Sequence, residues 1–156
     1  MSAPSANWTR RIVLLHHAVS PSNTHQAGRS DHFDLLIEPD DFGELWTWDC
    51  WQNPFESSNQ GQQTSVARLP DHRRAYLDYE GPISQNRGHV RQVASGYYQG
   101  QLNSNVMSLA VKLTPAGELT PAGEQQAGPK DQSLIRGTLE LTHSKDNAWK
   151  IVFHST

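Results

Sequence analysis

Apolar residues occur along this sequence only in short runs, and this limits the folds that the chain can adopt. The longest run, residues 12–15, has four residues, and no stretch of about 12 or more follows the 3.6-residue period of an amphipathic helix. The sequence also contains 11 glycines and 9 prolines, residue types that favour turns. It therefore predicts an all-β fold, a compact antiparallel β-barrel with long polar loops.

The chain has 156 residues, the length of one ordinary domain. We expect a flexible tail over residues 1–10 and a single barrel domain over residues 11–156. We expect residues 113–132 to form an exposed loop. A hexapeptide occurs twice in tandem over residues 113–124, and the residues after it include Gly, Gln and Pro. The predicted strands are 12–17, 33–38, 44–51, 66–69, 76–79, 88–98, 106–113, 133–142 and 148–154. We expect the second and third of these strands to form one hairpin and the last two to form another.

Composition excludes several classes of protein. No apolar run approaches the roughly 20 residues of a membrane span, and residues 1–11 lack the apolar centre of a signal peptide. The single cysteine, Cys50, is expected to be a small buried apolar residue, and its lack of a disulfide partner suits a reducing compartment. We therefore expect a cytoplasmic protein with no membrane contact. The net charge of −3 predicts no general attraction to nucleic acid.

Two histidines and an aspartate form the first candidate site. Alternate side chains of a strand share a face, so His32 and Asp34 are expected to point the same way. A third ligand would come from His16 or His17, at the end of the preceding strand. Two imidazoles and one carboxylate suit divalent Mn, Fe or Zn and leave coordination positions open for a substrate. The alternative is a hydrogen-bonded structural pair.

A second candidate site lies in residues 71–76, where histidine, arginine and tyrosine occur together. His72 and Tyr76 are four residues apart, so they share a face in a strand and in a helical turn alike. An imidazole, a guanidinium group and a phenol can hold and protonate a phosphoester oxygen. The alternative is an exposed basic turn.

In their order along the chain, these clusters resemble the 3′-phosphoesterase domain of bacterial DNA ligase D and its stand-alone relatives. That family opens with a strand ending in His and, after a loop, the motif His-Tyr-Asp-Phe-Arg-Leu-Glu. Here the segment 12–17 ends in two histidines, and residues 32–38 read His-Phe-Asp-Leu-Leu-Ile-Glu. A hairpin containing Trp follows in the family, and residues 45–48 are similar to it.

The most specific part of the resemblance is the family signature Glu-Asp-His-Pro-x-x-Tyr-x-Asp-Phe-Glu-Gly. Residues 70–81 are similar to it and read Pro-Asp-His-Arg-Arg-Ala-Tyr-Leu-Asp-Tyr-Glu-Gly. The family's closing Leu-x-Gly strand and Trp-containing final strand resemble residues 134–137 and 149–151. The resemblance covers roughly residues 11–154.

The resemblance implies a barrel with a metal site in a crescent-shaped groove. It implies manganese-dependent removal of 3′-ribonucleotides and 3′-phosphates during DNA end repair. Mn²⁺ is therefore the expected metal, and Zn²⁺ is the alternative that the ligand set also suits. The expected partners are the 3′ ends of DNA or of RNA-terminated DNA, and a ligase or polymerase. By position, the family's metal ligands correspond to His17, His32 and Asp34, and its catalytic residues correspond to His72 and Tyr76.

Three cations that bind phosphate in the family are replaced in this sequence. The corresponding positions are Leu36, Gln52 and Thr64. Loss of one such contact to a phosphoryl group typically costs several kcal/mol of transition-state stabilisation. Arginines elsewhere are candidates to replace them, with Arg68 and Arg74 as the predicted phosphate-binding residues; the other candidates are Arg73, Arg87 and Arg91.

Two other functions remain open from the sequence. The first is a non-catalytic metal-binding barrel that recognises nucleic-acid ends or a protein partner. The second is a cupin-like barrel acting on a small molecule, because the spacing of His32, Asp34 and Glu38 is similar to a cupin metal motif. The second cupin motif, Pro-x-Gly-x-x-His, is absent from the sequence.

Overall fold

Strands account for nearly all of the regular structure of this protein. The computed structural model describes residues 8–19, 31–83, 87–116 and 134–156. Its strands are β1 Arg10–Ala18, β2 His32–Ile37, β3 Leu45–Cys50, β4 Thr64–His72, β5 Gly81–Pro82, β6 His89–Gln99, β7 Val106–Pro115, β8 Ile135–Lys145 and β9 Ala148–Ser155. The described residues also include two 3₁₀ helices, Ser57–Asn59 and Arg74–Leu77, and neither is long and apolar enough to cross a membrane.

Eight of the strands close into an antiparallel barrel. Their order around it is β1, β2, β3, β4, β9, β8, β7 and β6, and β6 pairs back with β1. The short strand β5 pairs with β6 outside this ring. Closure leaves the eight long strands without a free edge, which removes the unpaired backbone groups of an open sheet. The predicted all-β antiparallel barrel is confirmed.

The barrel interior is filled by apolar side chains from all eight strands. The strands alternate, so Leu14 of β1 and Leu35 of β2 face inward together. Trp48 and Trp149 meet edge to face in this core, with ring centroids 5.4 Å apart. Cys50 belongs to the same core, as expected, and burial raises the pKa of its thiol.

A second, smaller apolar cluster lies on the opposite face of the strands, outside the barrel. It consists of Val13, Leu15, Leu36, Leu45, Leu77 and Val90. Leu77 is the buried residue of the Arg74–Leu77 helix, so this helix covers the outer face of β1 and β2. The outward side chains of β1 and β2 are thereby protected from solvent where they approach the helix.

The predicted strands agree with the structure in most places, and both predicted hairpins are confirmed. The predicted strand 76–79 is wrong, because Tyr76 and Leu77 belong to a 3₁₀ helix. His72 ends β4 and does not lie in a basic turn. Strand β1 already begins at Arg10, which the sequence assigned to the tail, and residues 1–7 lie outside the described residues.

The predicted loop 113–132 is wrong at its start. Strand β7 continues through Pro115, and Leu113 is fully buried in the barrel core. The first three residues of the tandem hexapeptide are therefore part of a strand, where the ladder with β6 and β8 determines their conformation. Residues 117–133, which hold the rest of the repeat, lie outside the described residues.

Candidate metal centre

His17, His32 and Asp34 come together on the outer face of β1 and β2. His17 is paired with His32 across the ladder, and Asp34 lies two residues further along β2 on the same face. The three side chains are buried, with 8%, 5% and 4% of their surface exposed. One ligand atom from each lies within 4.8 Å of the others, so the group could hold a metal ion.

The structure distinguishes between the two candidate histidines of β1. His17 points outward and lies beside Asp34, with 3.5 Å between His17 Nδ1 and Asp34 Oδ2. His16 points to the other face, where its ring packs edge to face on Phe33 with centroids 5.2 Å apart. His16 therefore does not belong to the group, and burial lowers its pKa.

The hydrogen bonds of His17 show which of its nitrogens is available to a metal. His17 Nε2 lies 2.9 Å from the carbonyl oxygen of Arg87, which can only accept a hydrogen bond, so Nε2 carries the proton. A neutral imidazole then has a lone pair at Nδ1, which faces the Asp34 carboxylate. Neither His17 Nδ1 nor Asp34 Oδ1 has a hydrogen-bond partner among the described residues.

Buried acceptors that face each other without a donor are costly unless a cation or proton lies between them. His32 lies beside the other carboxylate oxygen, with its Nε2 3.3 Å from Asp34 Oδ1. Burial would raise the pKa of Asp34, but hydrogen bonds and positive charge from the His17 and His32 rings in their protonated form outweigh it and hold that pKa well below its usual range. The carboxylate is therefore ionised at neutral pH, and the donor set of two imidazoles and one carboxylate fits a divalent cation.

The candidate catalytic residues line the same cavity as these three side chains. The cavity has a volume of about 190 Å³, and its lining includes His72 from the end of β4 and Tyr76 from the Arg74–Leu77 helix. His72 Nδ1 lies 2.9 Å from the carbonyl oxygen of Pro70, and the rings of His72 and Tyr76 are 5.8 Å apart. The structure thus brings all five residues that the sequence assigned to the metal and catalytic sites to one place.

Arg68, a predicted phosphate-binding residue, is engaged elsewhere. It donates hydrogen bonds to the carbonyl oxygens of Thr47 and Leu69, and it pairs with Asp71 at 2.8 Å. Its guanidinium group also lies 4.7 Å from the centroid of the Trp48 ring. These contacts hold Arg68 against the aromatic side chains of β3, and it does not line the cavity.

Arg74, the second predicted phosphate-binding residue, also makes structural contacts. It forms an ion pair with the buried carboxylate of Glu38 and donates a hydrogen bond to the carbonyl oxygen of Gly43. Glu38 accepts a further hydrogen bond from the backbone of Arg11. Glu38 is thus paired with arginine and lies outside the group of three, so the cupin-like spacing does not correspond to a metal site here.

Among the described residues, the arginine that lines the cavity is Arg87, which was one of several candidates in the sequence. Leu36, where the family has arginine, lies on the same face of β2 as Asp34 but is fully buried in the outer apolar cluster. Thr64, another position where the family has a cation, begins β4, whereas His72 of the cavity ends this strand. Roughly 26 Å of extended chain therefore separates Thr64 from His72. Arg87 lies two residues before β6, and the pairing of β6 with β1 brings it to the site.

Comparison with known proteins adds no assignment. No family model and no curated protein matches this chain. Its function is therefore inferred from the side chains around the cavity and from the order of motifs along the sequence.

Proposed function

We propose that this protein is a divergent metal-dependent 3′-phosphoesterase that removes phosphate groups from nucleic-acid 3′ ends during DNA end repair. One observation carries the proposal: a buried group with the composition of a metal site shares a single cavity with a histidine and a tyrosine. The resemblance to the phosphoesterase domain of DNA ligase D names the same five residues, and it supplies the substrate class.

Mn²⁺ is the proposed metal. His17 and His32 would each offer one imidazole nitrogen and Asp34 one carboxylate oxygen, a set that suits Mn²⁺ and also accepts Zn²⁺. When bound, such an ion acts as a Lewis acid toward a phosphoryl oxygen and lowers the pKa of a bound water. The hydrogen bond from His17 to the Arg87 carbonyl fixes the tautomer that leaves Nδ1 free to coordinate.

The other residues of the cavity would act on the substrate itself. The contact between His72 Nδ1 and the Pro70 carbonyl orients the ring and leaves Nε2 as the nitrogen for proton transfer to the leaving 3′ oxygen. The Tyr76 hydroxyl would donate a hydrogen bond to the phosphate and position it. Hydrolysis then consumes one water and yields a 3′ hydroxyl group and inorganic phosphate.

The test is release of phosphate from a 3′-phosphorylated DNA strand in the presence of Mn²⁺. We expect His72→Ala to lower the rate by at least about 100-fold, because it removes a general acid–base group. His154→Ala is the matched control, because His154 is an exposed histidine of β9 that does not line the cavity. The rate of this variant should equal that of the wild type. No release with either Mn²⁺ or Zn²⁺, or release that is unchanged in His72→Ala, would contradict the proposal.

The positions of the arginines favour one alternative, a module that binds 3′ ends without hydrolysing them. Leu36 supplies no charge, and both Arg68 and Arg74 are engaged by protein groups. Less positive charge near the phosphate lowers transition-state stabilisation more than it lowers binding through a metal. Salt-sensitive binding of a 3′-phosphorylated strand without any phosphate release would identify this alternative.

A further inference from the structure

A second groove lies next to the cavity lined by His17, His32, Asp34, His72 and Tyr76, which we call the metal cavity. The proposed hydrolysis does not use this second groove. It has a volume of about 460 Å³ and is lined by Arg73, Ala75, Tyr76, Tyr79, Pro82 and Ile83. We call it the tyrosine groove. Tyr76 and Ile83 also line the metal cavity, so the two spaces are neighbours that share these two side chains.

The tyrosine groove presents a rigid aromatic surface. Tyr76 and Tyr79 pack edge to face, with ring centroids 5.8 Å apart and an angle of 89° between the planes. The Tyr79 hydroxyl donates a hydrogen bond to the carbonyl oxygen of Pro82, and Tyr79 remains 37% exposed. Gly81 allows the chain to turn back between these two residues with a φ of 137°, a conformation that other residues rarely adopt. The exposed ring is thus held in place before any ligand arrives.

Positive charge lies beside this aromatic surface. Arg73 is exposed, and its guanidinium group is 5.9 Å from the centroid of the Tyr76 ring. Proteins that bind single-stranded nucleic acid combine aromatic rings, on which bases stack, with cations that contact the backbone phosphates. The tyrosine groove offers both features directly beside the cavity in which a 3′ phosphate would bind.

We propose that the tyrosine groove binds the terminal nucleobase of an unpaired 3′ end. The base would stack on Tyr79, and Arg73 would contact the phosphate on the 5′ side of the terminal nucleotide. This inference rests on the proposed function, because it takes the 3′ phosphate to lie in the adjoining metal cavity. It assigns the groove a role in substrate selection: ends whose last nucleotide lacks a base would bind poorly.

The experiment compares two single strands that end in a 3′ phosphate, one with a normal terminal nucleotide and one with an abasic terminal nucleotide. Binding to each is measured by fluorescence anisotropy in Mn²⁺. We expect the wild-type protein to bind the base-containing strand about tenfold more tightly, within the range measured for one base–aromatic stacking contact. Tyr79→Leu should abolish this preference, and Tyr79→Phe should retain it because the ring remains.

Two further variants make the test specific. Tyr97→Leu is the matched control, since Tyr97 is a similarly exposed tyrosine (43%) of β6 and does not line the tyrosine groove; its preference should equal that of the wild type. Arg73→Gln should weaken binding of both strands alike and reduce the salt dependence by about one unit of slope. Equal binding of the two strands by the wild type, or an unchanged preference in Tyr79→Leu, would overturn the inference.

Phosphate release is measured on the same two strands, so that the two proposals can fail separately. Release without any preference for the base-containing strand would overturn the role of the groove and leave the hydrolysis intact. A base-dependent preference in binding without release would support the groove and overturn the hydrolysis. Absence of both binding and release would overturn both.

Discussion

At the scale of single residues, His17 shows how the surrounding backbone determines the chemistry of a side chain. One ring nitrogen is engaged by the Arg87 carbonyl, so the other faces Asp34 with a lone pair. The neighbouring His16 has the same side chain, but it packs on Phe33 at the opposite face of the strand. The difference arises from the alternation of the strand and not from residue type.

Tyr98 leads to a prediction about how the stability of the fold depends on pH. Its hydroxyl donates a hydrogen bond to the carbonyl oxygen of Glu38, and burial raises its pKa to about 12. In the unfolded chain this group titrates near pH 10. Folding therefore retains a proton that the unfolded chain loses, so this contribution to stability is complete below about pH 10 and declines between about pH 10 and 12.

We expect Tyr98→Phe to reduce the loss of stability between pH 9 and pH 11.5 by about 2 kcal/mol, since one pKa unit corresponds to about 1.4 kcal/mol and the upper pH lies just below the folded-state pKa. The measurement is the free energy of unfolding in urea at pH 9 and at pH 11.5. Tyr97→Phe, at the adjacent exposed position, should leave the pH dependence of the wild type unchanged. An identical pH dependence in wild type and Tyr98→Phe would show that the Tyr98 hydroxyl is not protected by folding.

At the scale of elements, the sequence predicted the strands well where alternation and turn signals are local. Strands β1 to β3 and the β8–β9 hairpin follow from such signals. The Arg74–Leu77 helix could not be predicted, because the spacing of His72 and Tyr76 fits a strand as well as a helical turn. What decides between them is burial of Leu77 in the outer apolar cluster, whose other members lie far from it in the chain.

Local sequence patterns were likewise insufficient to predict the whole candidate site. The spacing of His32 and Asp34 was enough to place both on one face, because both lie on one strand. Whether His16 or His17 joins them depends on the pairing of β1 with β2; strand alternation in the sequence left that open, and only the family resemblance named His17. Arg87 reaches the cavity through the pairing of β6 with β1, so no local pattern marks it.

The pairing of β6 with β7 gives a prediction about one glycine. A Cβ atom at Gly96 would lie 1.9 Å from the carbonyl oxygen of Lys112 and 2.8 Å from the Cα of Leu113. Backbone atoms cannot yield as a flexible side chain can, so Gly96→Ala must separate the two strands. We expect it to lower the free energy of unfolding by about 1–3 kcal/mol or more. Urea unfolding measures this, and an unchanged midpoint would mean that the strands do not approach so closely.

Ser95→Ala is the control for Gly96→Ala, because it alters the neighbouring residue of the same strand. Its backbone already accommodates a Cβ atom, so its effect should stay within about 0.5 kcal/mol. A similar loss in both variants would point to a general sensitivity of β6 and not to close approach at Gly96.

At the scale of the whole molecule, the barrel core and the candidate metal centre lie on opposite faces of the same strands. The core takes side chains from all eight barrel strands, whereas His17, His32 and Asp34 lie outside it next to the smaller apolar cluster. The fold should therefore not depend on the metal. A ligand that binds only the folded state nevertheless adds to stability, by an amount that rises with the logarithm of its free concentration once that concentration exceeds the Kd.

Metal binding thus provides a stability test that does not require turnover. With free Mn²⁺ at about 100 times its Kd, the free energy of unfolding should rise by about 3 kcal/mol, and a chelator should return it to the metal-free value without unfolding the chain. His17→Ala should abolish the rise, and His16→Ala, at the neighbouring residue on the other face, should preserve it. An equal rise in both variants would place the metal elsewhere. Unfolding by the chelator would instead mean that the metal is a structural requirement of the barrel, against the separation of core and site.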